Sequence, residues 1–282
     1  SALPSTPSSS STAGKKAASV PPLATPQLQP LTFERLREVL KSDTTTSGFE
    51  GCVAVGCTAK SLQKNLSFLD HDEVVGAFGI HPLNAAEWNE EVAQTLCTIM
   101  ENPKVVAWGE CGLDYFDKKR NSQVQSSELK DLQRRAFSEQ IEKAVALAKP
   151  LVVHTREAEE DTLELLRKHL PRDHKVHVHC FTSQKWFAES LLAEFPNVFL
   201  GFTGVISFPS AGAVREVVEL TPLNRLLLET DGPFMAPVPY RGRTCHPGHV
   251  PTIAETVAKV KNRSVEDVLR TTRDNAHRMY GI

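Results

Sequence analysis

Two acids and two histidines stand at matching points of four separate stretches of this chain. Residues 105–116 read VVAWGECGLDYF, an apolar run that passes into Glu110. Residues 150–154 read PLVVH and end in His154, residues 175–179 read KVHVH and end in His179, and residues 225–231 read RLLLETD and end in Asp231. An unpaired charge at the end of a buried run is costly. Four such runs, each ending on a side chain able to ligate a metal, therefore point to a shared partner. A divalent cation is the simplest one, and Mg, Mn, Zn and Co all suit a mixed imidazole and carboxylate donor set. One or two such ions lower the pKa of bound water, which is the chemistry of hydrolysis.

Each residue alone also has a plainer reading. Glu110 suits an ion pair with an arginine, His154 a hydrogen-bonded structural place, and Asp231 a cap for the Asp-Gly-Pro turn that follows it. His177 and His179 are two apart and so share one face of a strand. His179, nearer the C-terminal end, is the ligand candidate, and His177 is expected one layer deeper with a structural role. What raises the four is their conjunction at equivalent positions, which independent structural roles do not require.

The elements that must position them alternate. Strands are expected at residues 51–57, 74–80, 105–109, 151–154, 176–181, 198–204 and 226–229. Helical spacing of apolar residues falls at 32–42, 59–69, 85–101, 128–149, 159–170, 184–195, 211–220, 251–260 and 265–280. Strands alternating with helices in this way mean βα units and a parallel sheet. A chemically active residue at the C-terminal end of several strands is the pattern of a TIM-type (β/α) barrel. Such a barrel wants eight strands, and seven are visible. The missing one belongs before the helix at Thr32, so a barrel that lacks or poorly forms its first strand is expected.

Composition sets further bounds. Of residues 1–30, 21 are Ser, Thr, Pro or Ala, with no aromatic residue, Asp, Glu or His. That stretch reads as a disordered tail or linker ahead of a barrel domain at 31–282. A formal net charge of −2 argues against a broad footprint for polyanions but leaves room for a local phosphate site. The six cysteines form no CxxC pair and read as reduced thiols of an intracellular protein. No apolar run reaches 18 residues, and no signal-peptide core is visible. A monomer in nucleus or cytoplasm, without a membrane partner, is expected.

The blocks GECGLDYF, VVHTREA, HVHCFT and LLLETDGPF, with GAFGIHP at 76–82 and RDNAHRMY at 273–280, resemble the signature blocks of the TatD-related metal-dependent deoxyribonucleases, a branch of the amidohydrolase superfamily. The resemblance runs from Phe49 to Ile282 with the motifs in order. It implies a TIM-type barrel, a divalent metal such as magnesium at its rim, and hydrolysis of phosphodiester bonds in DNA or RNA. It carries over Glu110, His154, His179 and Asp231 as metal-site residues, with Glu110 the bridging carboxylate if two ions bind. Asp231, holding the attacking water, is the candidate general base. Arg156 is placed to take a phosphate as a bidentate fork, with a salt bridge to Glu157 or Glu159 as the other reading. Lys118, Lys119, Arg120, Arg241 and Arg243 offer steering charge for a nucleic acid, against the plainer reading of solvated loops.

Two departures stand out. Members of that family usually begin with a strand ending in a His-x-His pair. Here the first histidine is His71 and the first acid Glu34, so slow turnover, or a domain that binds metal or nucleic acid without efficient turnover, is the alternative. GRTCHP at 242–247 stands where the family tends to have Asn-Glu-Pro, and His246 is not expected to replace that acid. A different amidohydrolase, using a carbamylated lysine on its fourth strand, is disfavoured because Glu110 takes the bridging place. The prolines at 21, 22, 26 and 30 remove amide donors that a central strand needs. At best residues 23–25 or 27–29 are expected to fill the gap.

Overall fold

Apolar runs of four to six residues, buried on both faces, pair best in a parallel sheet whose crossovers are helices. The computed structural model, which describes residues 33–42, 48–116 and 126–282, has this arrangement. Seven strands, β1 Cys52–Gly56, β2 Val74–Phe78, β3 Val105–Asp114, β4 Leu151–Arg156, β5 Val176–Val178, β6 Val198–Phe202 and β7 Leu226–Leu228, follow one another in the sheet in chain order. Every pairing is parallel. The helices between and after them are α1 Phe33–Ser42, α2 Ala59–Leu66, α3 Glu90–Met100, α4 Ser127–Ala146, α5 Glu159–His169, α6 Lys185–Glu194, α7 Gly212–Leu220, α8 Val250–Lys261 and α9 Val265–Tyr280. The result is a curled half-barrel of TIM type. The expected filler segments at 23–25 and 27–29, and the tail at 1–30, lie outside the described residues.

The two faces of the sheet bury different things. Val74, Phe78, Trp108, Leu151, Val153, Val176, Val178, Leu200 and Leu226 point outward into one large core shared with the helices. The inner face is lined by small or short side chains, Ala77, Ala107 and Val152, and further round by Phe199 and Leu227. At opposite ends of the sheet stand β1 and β7, and α9 reaches across from one to the other. Its Met279 and Ala276 pack with Phe199 and Leu227, while Tyr280 also meets Ala77, Ala107 and Val152. Asn275 Nδ2 donates to the carbonyls of Leu223 (2.8 Å) and Leu226 (2.7 Å), tying the helix to β7. Arg273 Nε donates to the carboxylate of Glu50, just ahead of β1, at 2.7 Å. A helix supplies apolar cover but no ladder hydrogen bonds, so Val55 on β1 remains 40% exposed.

One buried amide holds the end of β2. Gln140 on α4 accepts the Ile80 amide hydrogen at 2.8 Å, donates to the Ile80 carbonyl at 3.1 Å, and accepts from Trp108 Nε1 at 3.2 Å. Each buried group left without a partner costs about 1–3 kcal/mol. Gln140→Leu is therefore expected to lower unfolding free energy by about 3–5 kcal/mol, read as a fall in the urea midpoint. An unchanged midpoint refutes the assignment. Because Ile80 immediately precedes His81, the same change loosens the site described next.

Candidate metal centre

The four expected ligands meet at the C-terminal rim. Glu110 Oε1 lies 2.8 Å from His154 Nδ1 and 3.9 Å from His179 Nε2, which in turn lies 3.8 Å from Asp231 Oδ1. Alternation along the strands explains the histidines. Val152 and His154, like His177 and His179, are two apart, so an inner-face position is followed by a rim position on the same side.

Glu110 arrives by another route. Trp108 and Cys111 both point into the outer core, three residues apart, while their partners Leu151 and Val153 on β4 are two apart. One extra residue therefore sits in β3, a bulge that re-aims the chain beside a site. Gly109 takes φ +147°, and a Cβ there would stand 2.5 Å from the Val152 carbonyl oxygen. Only glycine accepts both the angle and the approach. The expected strand at 105–109 consequently does not stop at the glycine. It runs on to Asp114, whose Oδ2 lies 3.5 Å from His154 Nε2.

Three participants were not singled out in the sequence. Asp114 is one. Glu229 is the second: its Oε2 accepts from His179 Nδ1 at 2.7 Å and its Oε1 from the Cys180 amide at 2.5 Å. A carboxylate on the far nitrogen fixes an imidazole's tautomer and aim, as behind many metal ligands. His81, just past the end of β2, is the third, with Nε2 3.7 Å from Glu110 Oε1. Its Nδ1 accepts the Leu83 amide at 3.1 Å, so the neutral ring carries its hydrogen on Nε2, aimed into the centre. Alternation along β7 (Leu227, Glu229) and the strand-end position of GIHP were the available signals.

Charge is balanced within this cluster. Burial works against ionisation of Glu110, yet His179 and then His154 hold its carboxyl down to about 2. Burial likewise opposes a charge on His179, but Glu229 and Glu110 together push the ring up to about 10. His154 is raised too, its burial outweighed by the neighbouring carboxylates of Asp114 and Glu110. Burial and the charge on His154 push His81 down to about 4. Asp231 is raised, chiefly by burial.

These residues fit a divalent cation. His154 Nε2 is buried with no hydrogen-bond partner among the described residues. Ligand atoms of Glu110 and His154 form one group with the His81 ring, which stands beside them as an N–H donor because Leu83 occupies its Nδ1, and those of His179, Cys180 and Asp231 form another, each within 4.8 Å. Ligands on one ion at about 2.1 Å stand roughly 3–3.5 Å apart, so the 3.8–3.9 Å separations of His179 from Asp231 and Glu110 close with small side-chain movements. Burial, then Glu229, raises the Cys180 thiol, which leaves His179 and Asp231 the readier donors of their group.

The remaining residues lie round the rim. Arg156 stacks on Phe116, 3.9 Å from guanidinium carbon to ring centre, rather than pairing with Glu157 or Glu159. Arg241 lies over Phe208 at 4.5 Å. His246 stacks on His249 with ring centres 4.0 Å apart, outside both ligand groups. Lys118, Lys119 and Arg120 lie outside the described residues.

Histidines and carboxylates gathered at the C-terminal rim of a parallel α/β barrel define a metal-dependent hydrolase. The chain belongs to the TatD-related DNase family, whose model matches residues 27–281. It is similar to the human 3′-5′ RNA nuclease TATDN2, 37% identical over 256 residues, a match covering 89% of this chain and 33% of the human protein. The chain thus spans about a third of that relative's length. It is 34% identical to the 3′-5′ ssDNA/RNA exonuclease TatD of Erwinia tasmaniensis, covering 89% of this chain and 95% of that protein. Similarity to the uncharacterized metal-dependent hydrolase YcfH of Escherichia coli K12 is 35%, over 82% of this chain and 83% of that one. The fold matches the crystal structure of the Escherichia coli TatD homologue YjjV with a TM-score of 0.75 at 23% identity, covering 84% of this chain and 88% of that one.

Proposed function

We propose that the chain is a metal-dependent nuclease that removes nucleotides from the 3′ end of single-stranded DNA or RNA. The observation that carries this reading is the Glu110 carboxylate, set between His154 on one side and His179 with Asp231 on the other. The human and Erwinia relatives, a 3′-5′ RNA nuclease and a 3′-5′ ssDNA/RNA exonuclease, support the polarity and the substrate class. Glu110, His154, His179 and Asp231 would hold one or two divalent ions, with Glu110 shared between them if two bind. A bound ion supplies an acidified water and a Lewis acid for the phosphate. Asp231, with its raised pKa and a side chain 39% exposed, is the residue that would take up a proton at a carboxylate oxygen. His81 offers its Nε2 hydrogen to a phosphate oxygen. Arg156, held flat on Phe116, presents a fork to a neighbouring phosphate, and Arg241 steers the strand. The catalytic domain is residues 31–282, acting as a monomer in the nucleus or cytoplasm. That location agrees with free cysteines and with described helices too short or too polar to cross a membrane.

The test is degradation of end-labelled single strands with Mg²⁺, Mn²⁺, Zn²⁺ or Co²⁺. Shortening from the 3′ end that stops with a chelator is the expected result. Absence of cleavage with every ion defeats the reading; metal or nucleic-acid binding alone then supports the non-catalytic alternative. Arg156→Ala is expected to raise KM about tenfold with little change in kcat, since phosphate contacts made equally in ground and transition states act on binding. A fall in kcat with KM unchanged removes Arg156 from that role.

A further inference from the structure

A buried polar path runs through the inner face of the sheet, behind the metal centre. It starts on α9, where the Tyr280 hydroxyl lies 2.7 Å from His177 Nδ1. His177 is 4% exposed. Its Nε2 has no aligned hydrogen-bond partner yet stands 3.4 Å from Glu229 Oε2. That same oxygen accepts from His179 Nδ1 at 2.7 Å. The path therefore reads Tyr280, His177, Glu229, His179.

Gly201 on β6 makes room for it. A Cβ at that position would lie 2.2 Å from both Glu229 Oε1 and His177 Nε2. Its backbone is outside the left-handed range, so the glycine is required by space and not by conformation. Any larger residue displaces the carboxylate or the imidazole from their meeting place.

Donor and acceptor arithmetic gives the path a direction. If the Tyr280 O–H donates, His177 Nδ1 must be the acceptor, and the neutral ring then carries its hydrogen on Nε2, toward Glu229. Glu229 accepts from His179 and faces the His177 Nε2 at 3.4 Å. His179 keeps a hydrogen on Nδ1 and turns Nε2 to Glu110 and Asp231, the side on which a cation is held. Tyr280 is also the residue shared by the two small inner clusters, so the hydroxyl is placed by the docking of the C-terminal helix.

We propose that His177 and Tyr280 are positioning residues of the metal centre, which fix Glu229 and through it the aim of His179, so that docking of α9 sets the affinity for a divalent cation. This rests on His179 being a ligand. The competing account is a satisfied core network that supports the fold and nothing else.

Mn²⁺ affinity by titration calorimetry, with melting temperature measured on the same samples, separates the two. Direct partners of metal ligands change affinity by about 10–100-fold when removed. His177→Leu, which keeps apolar bulk and acts one step behind the direct partner Glu229, is expected to weaken Mn²⁺ about 10-fold, the low end of that range. Tyr280→Phe, one step further away and missing a single oxygen, is expected to weaken it about 3–10-fold, below that range. In the His177→Leu background Tyr280→Phe should have no further effect on affinity, because residues acting through one another are not additive. If His177→Leu does not fold, Tyr280→Phe decides alone. Affinity within twofold of the parent in Tyr280→Phe, or additive losses in the double variant, overturns the proposal, whatever happens to the melting temperature. A parent chain that binds no Mn²⁺ overturns the metal centre itself, a different failure from a parent that binds and variants that bind equally.

Discussion

Glu110→Ala is expected to weaken Mn²⁺ binding by at least ~100-fold and to lower kcat/KM by at least ~10³. The size follows from position. Glu110 Oε1 is the oxygen that reaches His154 at 2.8 Å, His81 at 3.7 Å and His179 at 3.9 Å. Removing it takes an anionic donor from both halves of the centre at once, and leaves two imidazoles whose protonated forms it had stabilised. Without that carboxylate the rings lose their protons more readily, which offsets only part of the loss of an anionic donor. Glu110→Gln keeps the volume and loses the charge, so it should bind metal nearly as poorly, while its circular dichroism and melting temperature show that the barrel persists. Calorimetry giving the parent affinity in both variants would remove Glu110 from the centre. Full binding with lost turnover would restrict it to the chemical step.

Much of this centre was legible along the chain because a parallel barrel repeats one grammar. An apolar run that ends in His154, His179 or Asp231 reads as a strand followed by its rim residue, and the rim residues converge when the strands line up in order. The parts that were not legible depend on departures from regular pleating or on distant packing. Asp114 was hidden by the bulge after Trp108: GECGLD has no alternation to read, and the expected strand ended at Gly109. The positive φ of both Gly109 and Gly112 belongs to that irregular segment, and a glycine spaced three from another is a weak signal by itself. Glu229 sits two residues before Asp231 and reads as the charged end of LLLE until its partner His179 is in place, 50 residues away in the chain. His81 follows the same strand-end grammar as the four ligand candidates, but along the chain it reads only as part of the GAFGIHP block, with no role of its own. The role of α9 could not be read locally, because its amphipathic pattern says that one face is buried without saying that Tyr280 enters the inner face of the sheet.

Metal affinity is expected to rise by about one to two powers of ten per pH unit between pH 6 and 8, as one or two protons leave for each ion bound. In the metal-free protein His179 is pushed up to about 10, its burial outweighed by Glu229 and Glu110, and His154 is raised as well. The His179 ring is therefore protonated near neutrality and the His154 ring holds its proton more tightly than a free imidazole, whereas a cation needs a lone pair on each. The sign for stability runs opposite in the two states. A folded pKa above the ordinary 6.5 means that the His179 charge stabilises the metal-free fold fully below about pH 6.5 and loses that contribution as pH rises through about 10. Glu110, held down to about 2 from 4.5, contributes above about pH 4.5, and that contribution disappears as pH falls through about 2. Between pH 6 and 8 Glu110 is constant and the imidazoles dominate, so the metal-free chain softens as pH rises while the ion binds more tightly. The rise in melting temperature on adding Mn²⁺ should accordingly grow with pH. Calorimetry in two buffers of different ionisation enthalpy counts the released protons directly. A count of zero, with affinity flat from pH 6 to 8, would show that neither His154 nor His179 gives up a proton to the ion and would place the ligands elsewhere on the rim.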